Sequence, residues 1–247
     1  MIWSYGVTTI PERKDTLLPR TVESLRKAGF PSPRLFVDGT CGGFDHFGLH
    51  VSYRYPKIKT FGNWMWGMWE LYIREPQADR YAMFQDDFVT YRNLKGFLES
   101  SPYPERGFLN LYTVPFNHPG NLRRYQIAPE IPGVPDDHRG FYRADGNCKG
   151  AVALVFDNYA MRGLLTAPHM TRKPRPDCQE RDPVFAWKNL DGAVSEAMRQ
   201  TGFNEYVHMP TLVMHTGLES SIGNRPRDLP TSFLGEEYDA MKFLGGK

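Results

Sequence analysis

Cysteine is scarce in this chain. Only Cys41, Cys148 and Cys178 are present. An odd number at wide spacing shows neither a disulfide framework nor a zinc-ligand pattern. Free thiols in a reducing cytoplasm are the expectation. Long apolar runs are missing too: none approaches the ~20 residues that span a bilayer. The opening Met1-Ile2-Trp3-Ser4-Tyr5 lacks the basic region and apolar run of a signal peptide. A cytoplasmic protein, or a trimmed chain, is expected. Nor does charge of one sign dominate. Lys and Arg number 30 against 28 Asp and Glu, a formal balance of +2. That is too small to name a nucleic-acid or membrane partner, although local basic clusters could still serve. Internal repeats and low-complexity segments are also lacking.

What is present is a globular composition. Of 247 residues 40% are hydrophobic and 14% aromatic, which suits one α/β domain with a sizeable core. The first half alternates strand and helix signals. Ser4 to Ile10 reads as a strand, and Asp15 to Gly29 as a helix with Leu18, Val22 and Leu25 on one face and Gly29 as its stop. Arg34 to Val37 is a second strand, running into Asp38-Gly39, and His50 to Tyr55 alternates like a third. Asn63 to Arg74 is a helix dense in Trp64, Trp66, Met68 and Trp69, with Asn63 placed to cap it. Arg80 to Phe84 is a buried strand that runs into Gln85-Asp86-Asp87. This order predicts an α/β fold: a mixed, mostly parallel sheet flanked by helices.

The second half is less regular. Strands are expected at Phe108 to Tyr112, Ala151 to Phe156 and Leu212 to His215, with helices at Asn158 to Leu165 and Leu190 to Thr201. Between them, Val114 to Arg143 and Ala167 to Pro183 are rich in proline and charge and read as long loops, a length that usually goes with function.

Asp86 and Asp87 directly follow an apolar strand. Ligands of open α/β sheets bind outside the carboxyl ends of strands. Two adjacent carboxylates there are hard donors suited to Mg²⁺ or Mn²⁺, and a cation bridging them to a diphosphate neutralises charge that grows as the diphosphate leaves. A solvated acidic turn is the plainer alternative. His215 ends a second short strand and is followed by Gly217, Ser220, Ser221 and Gly223. Imidazole suits Mn²⁺-like ions, and small residues let backbone amides approach a phosphate.

In this order the segments resemble glycosyltransferases of the GT-A type, a Rossmann-like fold. Val7-Thr8-Thr9-Ile10-Pro11-Glu12-Arg13 looks like the end of that fold's first strand, where the base and ribose lie. Leu35-Phe36-Val37-Asp38-Gly39 looks like its second, whose terminal Asp contacts the nucleoside. Gly62-Asn63-Trp64 resembles the helix opening beside the nucleotide. Gln85-Asp86-Asp87 stands at the acidic metal motif, and His215 resembles the late His that completes it. The run to Ser220-Ser221-Ile222-Gly223 is similar to the N-acetylglucosaminyltransferase IV-like branch and to small viral and phage glycosyltransferases. The resemblance implies a UDP-sugar donor bound by Thr8, Thr9, Arg13, Asp38, Asn63, Trp64, Asp86, Lys149 and Gly150, and a divalent cation, Mn²⁺ or Mg²⁺, held by Asp87 and His215. Residues 1–113 then form the nucleotide-sugar half of a single domain and 114–247 the acceptor-binding and catalytic half. The pattern departs at Gln85, where many members have an acidic residue, which leaves Asp87 as the metal contact and Asp86 nearer the ribose or sugar.

An inverting transferase needs a general base at the acceptor hydroxyl. In the resembled family it opens a late helix, which implies Asp191, with Glu196 and Asp182 as substitutes; a helix cap is the other reading of Asp191. Arg123-Arg124, Arg172-Lys173-Arg175 and Arg225-Arg227 lie in expected loops and suit either solvated surface or a grip on a phosphate backbone. With no anchor segment they suggest a phage-type enzyme in the host cytoplasm that glycosylates a 5-hydroxymethylpyrimidine in DNA, its base flipped from the stack. A glycan, protein or lipid acceptor is the alternative within the class. Outside it stand a non-catalytic nucleotide-sugar or nucleic-acid binding module and a two-metal phosphohydrolase, the last disfavoured by too few ligands.

Overall fold

The computed structural model describes residues 1–40, 42–114, 140–168, 170, 190–217 and 232–245. Its strands and helices run in the order β1 (Trp3–Thr9), α1 (Leu18–Lys27), β2 (Arg34–Asp38), β3 (Val51–Arg54), α2 (Lys59–Arg74), β4 (Arg80–Gln85), β5 (Phe88–Thr90), α3 (Leu94–Ser100), β6 (Gly107–Asn110), β7 (Gly140–Arg143), β8 (Ala153–Asp157), α4 (Asn158–Thr166), α5 (Leu190–Gln200), β9 (Asn204–Met209) and β10 (Val213–His215). Among the described residues eight strands form one sheet in the order β3-β2-β1-β4-β8-β6-β9-β7, and β5 pairs with β10 in a second, small one. In the large sheet β8 and β7 run against the other strands. The sheet is mixed and mostly parallel, as the alternation of elements predicts.

Period-two patterning explains how both faces are covered. Along β4, Ala82 and Phe84 point into one apolar cluster with Leu18, Val22 and Leu25 of α1. Tyr81 and Met83 point into the other, with Trp64 and Met68 of α2, Leu164 of α4, and Val194 and Met198 of α5. β8 repeats the division, with Val155 on the first face and Leu154 and Phe156 on the second. A strand buried on both sides reads as a continuous apolar run, which is why β4 and β8 are legible in the sequence. α1 stops where expected. Gly29 adopts φ +94°, its N–H donates to the Arg26 carbonyl, and the next N–H, of Phe30, reaches back to Leu25. This paired closure satisfies carbonyls that the helix end would otherwise strand.

Several elements differ from expectation. α2 begins at Lys59, four residues before Asn63, so Asn63 is not its cap. The Asp38 carboxylate opens that helix instead, accepting the Ile58 N–H at 2.7 Å. β5, α3 and β9 have no counterpart in the sequence reading, and β7 lies inside the stretch read as loop. Much of that stretch, and of the second expected loop, lies outside the described residues. Among the described residues no helix is long and apolar enough to cross a membrane.

Candidate functional site

β1 and β4 are parallel neighbours, with Thr8 opposite Gln85. The chain leaves β1 for β2 on one side and reaches β4 on the other, so their carboxyl ends flank the crevice where open α/β sheets take ligands. Asp86 and Asp87 form the two-residue corner between β4 and β5. β5 is antiparallel to β10 and sets His215 opposite Phe88, and the Thr216 N–H then donates to the Asp87 carbonyl at 2.7 Å. Two short strands thus bring His215 to Asp87 from a distant part of the chain. Nε2 of His215 lies 3.3 Å from Oδ2 of Asp87.

Both carboxylates are buried. Thr9 Oγ1 donates to Asp86 Oδ2 at 2.6 Å, joining the ends of β1 and β4. Arg13, from the short 3-10 turn Pro11–Arg13, sends Nη1 to Asp86 Oδ1 at 2.5 Å and to Asp87 Oδ2 at 2.8 Å. Burial, with the neighbouring charge of Asp87, pushes the Asp86 carboxyl up to about 6 against the pull of Arg13 and Thr9. Burial alone would raise Asp87 as well, but His215 and Arg13 outweigh it and hold that carboxyl below its ordinary value. Two carboxylates sharing a dry corner are driven apart in this way. The Arg13 guanidinium, which burial alone would lower, is held up by the same two charges.

These residues suit a divalent cation. Asp87 Oδ1 is buried and has no hydrogen-bond partner among the described residues, so the site holds an unused hard donor beside an imidazole. A Cβ on Gly217 would stand 2.9 Å from His215 Cε1 and 3.2 Å from Asp87 Oδ2, so the backbone there closes directly over the pair. Among the described residues no three His, Cys, Asp or Glu side chains form a metal-holding group. Asp87 and His215 would be the protein's ligands, and the remaining positions would fall to a bound phosphate or water.

The loop after β7 borders the corner. Gln85 donates its amide to the Ala151 carbonyl at 2.8 Å, so that amide is spent on the loop and not held out for a ribose. Gly150 has φ +70°, and a Cβ there would meet Tyr112 Cδ1 at 2.3 Å, which only glycine avoids. Asp191, at the second position of α5, accepts the Gly150 N–H at 2.9 Å and the Ala151 N–H at 3.2 Å. Its carboxylate ties this loop and does not cap its own helix. Each oxygen keeps a second lone pair, so it can still accept a proton from a fixed position. Glu205, which sequence reasoning misses, supports the same loop by accepting from Cys148 N at 2.8 Å and Asn110 Nδ2 at 2.9 Å. An internal Glu within Asn204-Glu205-Tyr206-Val207 is a buried acid in a β-rich run, and that is the available signal.

Other expected site residues fall elsewhere. Thr8 turns its hydroxyl to the Phe84 carbonyl. Asn63 is buried and donates to the Phe36 carbonyl at 2.8 Å, tying α2 to β2. Trp64 is fully buried against Phe156 and offers no surface to a nucleobase. Lys149 is exposed, while its carbonyl accepts from Asn110. Glu196 is bound by Arg199 and Gln200 on the surface of α5. Asp182, Ser220, Ser221, Gly223 and the basic residues Arg123, Arg124, Arg172, Lys173, Arg175, Arg225 and Arg227 lie outside the described residues, as do Cys41 and Cys178. Cys148 is free and buried.

No protein-family model matches the chain, and no curated protein matches it. Among solved structures it is similar to a mannose-1-phosphate geranyltransferase from Thermus thermophilus, at 13% identity and a TM-score of 0.42 over 84% of this chain and 74% of that one. It is also similar to a protein assigned as a glucose-1-phosphate thymidylyltransferase from Bacillus anthracis, at 12% identity and a TM-score of 0.45 over 90% and 92% of the two chains. A third is the inositol-1-phosphate CTP transferase of T. maritima, at 10% identity and a TM-score of 0.38 over 84% and 86%. Likenesses this distant say nothing of what the present chain binds or transfers.

Proposed function

We propose that the chain is a divalent-cation-dependent glycosyltransferase of the GT-A type that moves a sugar from a UDP-sugar to a hydroxyl acceptor. One observation carries this reading: the buried corner where Asp86 and Asp87 meet Thr9 and Arg13 of the neighbouring strand end, with His215 delivered to Asp87 by a separate strand pair. A solvated acidic turn would not be buried or furnished with a guanidinium and an imidazole. When bound, the cation neutralises charge on the departing diphosphate. Asp87 and His215 hold it, and Arg13 contributes a further positive charge. Thr9 and Asp86 fix the position of Arg13. The loop at 149–151, tied down by Asp191, borders the donor sugar, and Asp191 takes the acceptor proton. The acceptor we propose is a 5-hydroxymethylpyrimidine in DNA, a reading that stands on the basic loops of the sequence.

The test is a donor screen. UDP-glucose, UDP-galactose and UDP-N-acetylglucosamine are incubated with the protein, with Mn²⁺ or with EDTA, and released UDP is measured without acceptor and with hydroxymethylated DNA or an oligosaccharide. Release from one donor that needs Mn²⁺ and vanishes in Asp87→Ala supports the proposal. Release that ignores both the metal and the substitution would refute it. Stimulation by an oligosaccharide and not by modified DNA would move the acceptor to the glycan class.

A further inference from the structure

Arg13 is the most heavily engaged side chain at the corner, and its contacts are unequal in kind. Toward Asp86 the arrangement is complete, with Oδ1 accepting from Arg13 Nη1 and Oδ2 from Thr9 Oγ1. Toward Asp87 it is crowded on one oxygen and empty on the other. Oδ2 receives Arg13 Nη1 at 2.8 Å and faces His215 Nε2 at 3.3 Å. Oδ1 is buried with no hydrogen-bond partner among the described residues. Two adjacent carboxylates out of water are costly unless a positive charge accompanies them. In this structure the guanidinium supplies it.

A cation held by Asp87 Oδ1 and His215 would sit on the carboxylate whose other oxygen the guanidinium engages, and its charge would repel the guanidinium. The two cannot both be accommodated at Asp87 without cost. We propose that Arg13 is the resident counter-charge of the site and competes with the divalent cation for Asp87: cation binding releases Arg13 from Asp87 while Asp86 retains it. Asp86 is then a pivot and Asp87 the exchanged partner. The released face of the guanidinium is suited to a phosphate oxygen, which guanidinium recognises in a fork geometry. This rests on the donor-site reading above.

A thermodynamic signature follows. A cation arriving alone must displace Arg13 from Asp87, so its affinity is held down. A cation arriving with a diphosphate brings phosphate oxygens that the released guanidinium can bind. Cation and nucleotide therefore reinforce one another through Arg13, and the coupling is reciprocal.

The experiment titrates MnCl₂ into the full chain without nucleotide, by calorimetry or by the electron paramagnetic resonance of free Mn²⁺. Wild type, Arg13→Gln, Arg13→Met, Arg13→Lys and Asp87→Asn are compared, with circular dichroism to establish folding. Arg13→Met keeps the stem's packing and stands in should the Gln variant fail to fold. Loss of one charge-assisted competitor should tighten Mn²⁺ binding by about tenfold or more in the uncharged variants. Arg13→Lys, which keeps the charge, should stay near wild type. If the uncharged variants bind Mn²⁺ no more tightly than wild type while Asp87→Asn abolishes binding, the competition is refuted and the cation site stands. If wild type and variants alike fail to bind Mn²⁺, or Asp87→Asn binds it normally, the inference and the cation-site reading fall together.

Discussion

Replacing Asp191 by Asn separates what the carboxylate supports from what it transfers. In the structure its two oxygens accept the N–H groups of Gly150 and Ala151, at 2.9 and 3.2 Å. An Asn at 191 keeps one acceptor and turns an NH₂ toward the other amide. One bond is lost, a donor faces a donor, and the remaining bond is no longer charge-assisted. Hydrogen bonds to a charged group contribute about 1.5–3 kcal/mol each, and partial exposure of Asp191 favours the lower end, so the expected loss is about 2 kcal/mol. In a chain of this size that corresponds to a fall in Tm of about 4–8 °C. Differential scanning calorimetry measures it directly. The loop it holds also contains Gly150, at φ +70° and packed so closely on Tyr112 that no Cβ fits. A variant melting within about 1 °C of wild type would refute the reasoning, since bonds that carry energy cannot be removed silently. Kinetics on the folded protein then separate the two uses. As a tie alone, Asp191→Asn leaves kcat at saturating acceptor near wild type. As the proton acceptor too, which the account expects, it lowers kcat by about 10²–10⁴-fold with donor affinity retained.

Gly217→Ala places a Cβ 2.9 Å from His215 Cε1 and should weaken Mn²⁺ binding by about tenfold, read by calorimetry, with little change in Tm. Trp64→Phe should cost about 2 kcal/mol in urea unfolding and leave nucleotide affinity unchanged, because the indole is core and not a stacking surface. Glu70 accepts from Ser52 at 2.6 Å, Arg54 at 3.0 Å and Arg74 at 3.1 Å. Burial alone would raise its carboxyl, but Ser52 and Arg54 outweigh it and hold it low. A depressed folded value means stability that is present above the unfolded value of about 4.3 and is lost as pH falls through the folded one. Glu70→Gln should therefore lower the urea midpoint at pH 7 and narrow the gap from wild type at pH 3.

The parts of the fold legible in the sequence are those whose burial shows as a continuous apolar run or as one face of a helix. β2 and β4 are such runs, and Leu18, Val22 and Leu25 trace one face of α1. The acidic corner is visible because Asp86 and Asp87 interrupt such a run. β5 has three residues, too few to show a period, and acquires strand geometry only by pairing with β10, the strand the sequence does show at Leu212 to His215. Position is legible for His215, whereas its contact with Asp87 is a product of that pairing. Asn63 and Trp64 illustrate the converse. Both types suit a ligand site, but the earlier start of α2, opened by Asp38, carries them onto the sheet-facing side. The partners of Asp191 and Glu205 lie about 40 and 57 residues away, at Gly150, Ala151 and Cys148, beyond any local pattern.

The central claim, that Asp87 and His215 hold a cation that in turn holds a nucleotide diphosphate, is most directly tested by titrating UDP into the protein by calorimetry with Mn²⁺, with EDTA, and in Asp87→Ala with Mn²⁺. The account predicts saturable binding in the first case, at least about tenfold weaker binding in the second, and equally weak binding in the third, with circular dichroism unchanged throughout. Equal affinity under all three conditions would contradict it.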